Sequence, residues 1–143
     1  MSKQAAQLNE LIEITRDGQR FYEHASHEVK DNHLKSLFGE MSRAKVEVIQ
    51  ALSARVAANH EEPAAGGTLL GKMRQMYADT RATLASDEAA TYVAQLEEAE
   101  DRILHAFEDA LESADAELKP LLASEMPKVR ACHDRMRGIK RAH

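Results

Sequence analysis

Tryptophan is missing from this 143-residue chain, aromatic residues make up only 4% of it, and there are one cysteine and three prolines. A core with so few rings has to be filled by smaller side chains. Ala, Leu, Glu, Lys and Arg are the common residues here, a composition that favours helix packed on helix. The lone cysteine, Cys132, rules out an internal disulfide and suits a reducing compartment, so a cytoplasmic location is expected. No apolar run approaches the roughly 20 residues that span a bilayer, and the opening MSKQAAQLNEL has no apolar leader segment. A net charge of -5 with interspersed signs argues against nucleic acid or an anionic membrane as partner. There is no Gly-rich phosphate loop, Ser/His/Asp arrangement or Cys cluster, and Gly66-Gly67-Thr68 lacks the rest of a P-loop.

Helical periodicity is present almost throughout. The first helix is expected from Ser2 to about Val29, burying Leu8, Leu11, Ile12, Thr15, Gly18, Gln19, Tyr22, Ala25, Ser26 and Val29. Asp31 or Asn32 caps a second helix that buries Leu34, Leu37, Phe38, Met41, Ala44, Val48, Ala51 and Leu52, with Lys45 on the same stripe. The turn between these helices is so short that they must form an antiparallel hairpin. Pro63 and Gly66-Gly67 then mark a linker, and Thr68 caps a shorter helix ending near Ala85. That helix covers roughly 25 Å at 1.5 Å per residue, enough to serve as a crossover. Ser86, Asp87 and Glu88 start the next long helix, and Ser113 to Asp115 turn into the last. The last helix buries Leu118, Leu121, Leu122, Glu125, Val129, Cys132, Met136 and Ile139. Pro120 is tolerated in its first turns, whereas Pro127 predicts a kink or a restart at Ser124. The chain thus reads as one domain: hairpin one over 2–58, crossover over 59–85, hairpin two over 86–143.

One position breaks an otherwise apolar seam. Val93, Leu96, Ile103, Phe107 and Ala110 recur at core spacing, and Glu100 sits in their middle. A carboxylate in a core is costly unless paired, hydrogen-bonded or metal-bound. The two hairpins also look like copies. Tyr22-Glu23-His24-Ala25 matches Phe107-Glu108-Asp109-Ala110, and Leu34-Lys35-Ser36-Leu37-Phe38 matches Leu118-Lys119-Pro120-Leu121-Leu122. In that register Thr15 holds the place in hairpin one that Glu100 holds in hairpin two.

A duplicated hairpin with a crossover resembles the ferritin-like superfamily, in which each half supplies an inward Glu and a Glu-x-x-His to a pair of metal ions. Leu8-Asn9-Glu10-Leu11 followed by Tyr22 looks like the opening of bacterioferritin-type first helices. More narrowly, Leu8-Asn9-x-Leu11-Ile12 with Arg16-Asp17-Gly18, the Leu34-Lys35-x-Leu37-Phe38 segment, and the closing His133-Asp134-Arg135-Met136 resemble a family of uncharacterised bacterial proteins. Those proteins are ferritin-like four-helix bundles carrying a domain of unknown function. The resemblance covers nearly the whole chain and implies an all-α, ferritin-like four-helix bundle of two repeated hairpins with a long crossover containing a short helix.

The ligand set implied by the resemblance is mostly replaced. The first-helix Glu position is Thr15, and the Glu-x-x-His positions of hairpin one fall on Lys45 and Val48. In hairpin two Glu100 matches, but the pair falls on Val129 and Cys132, or on Arg130 and His133 after a shift of one. A di-iron centre of the usual kind is therefore not expected, and no catalytic residue or resident cofactor is assigned. Lys45 puts a cation where an anionic ligand would stand, so Lys45 is expected to pair with Glu100, aided by Thr15, Gln19 or Tyr22. The bland alternative is that Lys45 or Glu100 snorkels past the seam edge to water.

Histidines offer a weaker signal. His24, His27 and Glu28 have metal-ligand spacing on one helix, but solvated side chains explain them as well. His24 lacks the Lys and Gly that usually follow a phospho-accepting histidine, and Cys132 reads as a small core residue. The resulting expectation is a non-enzymatic bundle that associates with itself as a homodimer or with another protein; the resemblance does not establish a cellular role, and no residue points to the stress-related one. Its dimer face is either Met73, Met76 and Tyr77 or the Ile14 and Phe21 edge. The alternative is a metal-binding or redox protein holding iron, manganese or zinc with Glu100, Glu125 and His133.

Overall fold

The computed structural model describes residues 2–143 and contains among them five helices and no strand. They are α1 (Lys3–Glu28), α2 (Asn32–Ala58), α3 (Leu69–Leu84), α4 (Glu88–Ser113) and α5 (Lys119–Ala142). Short polar side chains start four of them by accepting an orphan backbone N–H. Ser2 accepts from Ala5, Asp31 from Leu34, Thr68 from Gly71 and Asp87 from Ala90. α5 has no side-chain cap; Leu118 precedes it, and Pro120 occupies its first turn, where no N–H is needed.

α1 packs chiefly on α2 and α4 chiefly on α5. Side-chain bonds give the relative directions. Gln7 Nε2 donates to the Ala110 carbonyl near the start of α1, and the Tyr22 hydroxyl donates to Glu100 further along. Rising numbers on α1 meet falling numbers on α4, so these two helices are antiparallel.

The expected restart at Ser124 is not found: α5 runs unbroken through Pro127. Pro127 would have bonded the carbonyl of Ala123, and both residues are exposed, so the carbonyl that loses its donor faces water. Leu122, Met126 and Val129 on the other side are buried and hold the helix to the bundle.

The core falls into two apolar clusters along the bundle. One contains Leu8, Leu11, Ile12, Val48, Leu52, Ile103, Phe107, Leu118 and Leu122. The other contains Phe21, Tyr22, Leu37, Phe38, Met41, Val93, Leu96 and Met136. The fully buried Thr15, Lys45 and Glu100 lie at the level between them.

The segment from 59 to 68 is anchored rather than loose. Asn9 is buried on α1; its Oδ1 accepts from Ala64 N at 2.8 Å and its Nδ2 donates to Glu62 O at 3.1 Å. Arg16 Nη1 donates to the carbonyls of Ala64 and Gly66 at 2.8 and 2.9 Å. Asp17 accepts from Thr68 N at 2.7 Å and from Thr68 Oγ1 at 2.5 Å. A Cβ on Gly71 would collide with the Asp17 carboxylate, so glycine is what lets α3 approach α1 here. Asp17→Ala is expected to lower stability by about 2 kcal/mol, the worth of hydrogen bonds to a charged group. It should also expose the linker to limited proteolysis without changing helix content; a linker as resistant as the wild type would show that Asp17 does not hold it.

Candidate functional site

The interior polar layer is built from three helices. Lys45 enters from α2, Glu100 from α4 and Tyr22 from α1, each on the buried stripe of its helix. Lys45 is 1% exposed and Glu100 and Tyr22 are fully buried, so neither charge reaches water by snorkelling. Lys45 Nζ donates to Glu100 Oε1 at 2.7 Å, and the Tyr22 hydroxyl donates to Glu100 Oε2 at 2.5 Å. Both carboxylate oxygens therefore have a donor, which is the condition under which a buried charge is tolerated.

Neighbouring residues shape this cluster. Lys45 Nζ lies 5.9 Å from the centre of the Tyr22 ring, which packs on Phe38 at 6.0 Å. A Cβ on Gly18 would lie 2.7 Å from Ile103 Cδ1 and 3.8 Å from Lys45 Cε, so the glycine makes room for α4 to close on α1. Burial, then the Glu100 charge and hydrogen bond, push the Tyr22 phenol well above its ordinary pKa of 10.0. It stays a neutral donor throughout the neutral range. Burial likewise pushes the Cys132 thiol up, against a smaller opposing pull from Lys45, so it is a poor nucleophile.

Of the interior polar residues expected from sequence, Thr15 and Gln19 take other partners. Thr15 Oγ1 donates to the Leu11 carbonyl of its own helix at 2.6 Å. Gln19 Nε2 donates to Glu23 and to Ser42 Oγ, stitching α1 to α2. Sequence reasoning missed two further sites. Glu97 is 7% exposed, with Lys140 donating to it at 3.3 Å; its spacing beside Val93 and Leu96 was the available clue. Asp79 on α3 accepts from the Tyr92 hydroxyl at 2.6 Å and lies 2.7 Å from His24 Nε2, joining α1, α3 and α4. His27 and Glu28 are exposed.

The residues of the metal alternative are engaged separately. Glu100 is held by Lys45 and Tyr22, and Glu125 lies 3.5 Å from Lys128. His133 Nε2 is 2.6 Å from Asp101 and its Nδ1 is 3.0 Å from Asp134. Among the described residues no group of three or more His, Cys, Asp and Glu side chains could hold a metal ion. The donor set therefore does not fit iron, manganese or zinc. The cavity beside α1 is lined by Gly18 and Phe21 but not by Lys45, Glu100 or Tyr22, so no substrate route reaches the carboxylate through it. Nor is the Ile14 and Phe21 edge an exposed face: Phe21 is 3% exposed, Ile14 is partly buried, and both line that cavity.

Fold and site together define an all-helical bundle with an interior Lys-Glu-Tyr cluster. The chain belongs to the family described as Domain of unknown function (DUF2383), which matches residues 3–113, from the start of α1 to the end of α4. No curated protein and no solved structure matches it. No helix among the described residues is long and apolar enough to cross a membrane.

Removing one member of the buried pair leaves the other charge unpaired. Lys45→Met alone is expected to cost about 3–5 kcal/mol in urea unfolding, and the double variant with Glu100→Gln much less than the sum. Strict additivity would mean the two side chains do not stabilise each other. His133 gives a second test. Burial draws its pKa down, but hydrogen bonds to Asp134 and Asp101 and their charges outweigh this, leaving it above 6.5. A raised folded pKa means that His133 contributes stability below pH 6.5, lost as pH rises through the folded value. The melting temperature should therefore fall as pH rises from 6 to 8, and His133→Gln should flatten that slope; an unchanged slope would assign it to other groups.

Proposed function

We propose that this protein is a non-enzymatic, ferritin-like bundle that works through association, first of all with a second copy of itself. The antiparallel pairing of α1 with α4, with α2 returning along α1, supports two hairpins joined by a crossover through α3. Glu100, the residue that matches a ferritin-type ligand, has both oxygens occupied by Lys45 and Tyr22, which supports a structural role for it.

The observation that carries the reading is the outward face of α3. Leu69, Leu70, Met73, Met76, Tyr77 and Leu84 are between 54% and 79% exposed, while the buried residues of this helix are Ala78 and Ala82. A helix that completes its own fold puts its large apolar residues inward; α3 puts small ones inward and large ones outward. Leu70, Met73, Tyr77, Thr80 and Leu84 fall at the seam positions of successive heptads. The row is also close to symmetric about Tyr77. An antiparallel copy centred there sets Leu70 of one chain opposite Leu84 of the other and brings the two Tyr77 rings together, as a two-fold interface requires.

Sedimentation velocity across micromolar concentrations is expected to give a dimer, and Met76→Glu with Tyr77→Glu a monomer with unchanged melting temperature. A wild-type monomer at every concentration would overturn self-association. Stoichiometric metal in protein purified without a histidine tag would overturn the structural reading of Glu100.

A further inference from the structure

The first half of α3 does not fill the space between it and the α1–α4 pair, and Leu70, Gly71 and Arg74 line what is left. This cavity, of about 520 Å³, is within the usual size range of small-molecule sites. It runs along the two helices from Gln7 and Ser113 at one end to Phe21 and Ala99 at the other. Leu11, Ile14, Phe21, Leu70, Ala99 and Ala106 give it mainly apolar walls.

Two arginines, Arg74 from α3 and Arg102 from α4, line the Phe21 end. Arg74 Nη1 is buried with no hydrogen-bond partner, the one such side-chain atom among the described residues. Neither guanidinium forms a salt bridge there, although acidic groups stand nearby. Burial, followed by the charge of Arg74, lowers the pKa of Arg102, with Glu98, Asp17 and Asp101 pulling weakly the other way. Asp17 already has its two oxygens on Thr68. The other acidic lining residues are Glu10, Glu13 and Asp109; Glu10 and Asp109 are exposed and lie toward the Gln7 end. The cavity therefore has at one end two guanidiniums without a salt bridge, beside an Asp17 already bonded to Thr68, a mainly apolar middle bordered by Glu13, and a polar mouth.

We propose that this cavity binds an apolar-tailed monocarboxylate, with the carboxylate between Arg74 and Arg102 and the tail along Leu11, Ile14 and Ala106. A planar carboxylate matches the fork of N–H donors on a guanidinium, and it would relieve the repulsion between the two cations that line this end. The tail needs no polar partner, and Leu11, Ile14 and Ala106 supply none. The site shares only Leu70 with the outward row of α3, and its two arginines lie outside that row, so decanoate binding is tested separately from dimer formation.

Calorimetric titration of the full chain with decanoate below its micellar concentration tests the proposal, with decanol and inorganic phosphate as the two controls. Saturable one-to-one binding of decanoate is expected, at least tenfold tighter than either control. Arg74→Gln and Arg102→Gln should each weaken it tenfold or more, and Ala106→Trp should abolish it by filling the middle. Because neither arginine forms a salt bridge, the Gln variants should keep the helix content of the wild type by circular dichroism, which separates lost binding from lost folding. Equal binding of decanol, equal binding of phosphate, or no binding of decanoate to folded protein would each overturn the proposal.

Discussion

A charge buried in a helical bundle restricts what the helices around it can do. Lys45 and Glu100 sit on different hairpins, with Tyr22 supplying the second donor to the carboxylate. Apolar packing alone tolerates sliding by a turn, since one Leu replaces another at modest cost. The ion pair does not, because a one-turn slip would leave two buried charges facing hydrocarbon. Its net worth against a hydrophobic pair is small, but its cost when broken is large. The pair therefore serves better as a register pin between hairpins than as a source of stability. Its place between the two apolar clusters lets each be filled independently once the middle level is set.

The second constraint is the fastening of the 59–68 segment. Asn9, Arg16 and Asp17 occur on one stretch of α1, and each captures backbone or hydroxyl groups of the linker. A loop of this length would otherwise be free to let α3 swing. Gly18, adjacent to the last of the three, opens the space in which α4 and the Lys45 stem meet α1. One short motif thus ties the linker down on one side of α1 and admits the ion pair on the other.

What could be read in the sequence follows the same division. Helix positions and the interior status of Lys45, Glu100 and Tyr22 were legible because a 3.6-residue period exposes any polar residue placed on an apolar stripe. The direction in which Thr15 and Gln19 bond was not, since periodicity gives a face but no partner. Asn9, Arg16 and Asp17 were visible only as pieces of a resemblance; their bonds reach more than 45 residues along the chain. The Ile14 and Phe21 edge could be read either as a dimer face or as the seat of the crossover helix for a similar reason: nothing local says that α3 will lie over it. Pro127 left a kink and a restart both open because sequence does not tell which side of the helix the orphaned carbonyl faces.

α3 brings these threads together. Its Ala78 and Ala82 lie against the bundle, and its Leu and Met side chains point away from it. Had Met73, Met76 and Tyr77 turned inward, the exposed row would not exist. Reversed amphipathicity thus produces the exposed row, at the expense of the burial that normally holds a helix in place. The compensation is polar and specific: Asp17 on the Thr68 cap at one end, and His24 and Tyr92 on Asp79 towards the other. A helix fixed by its ends and by two packed alanines leaves its large apolar face exposed.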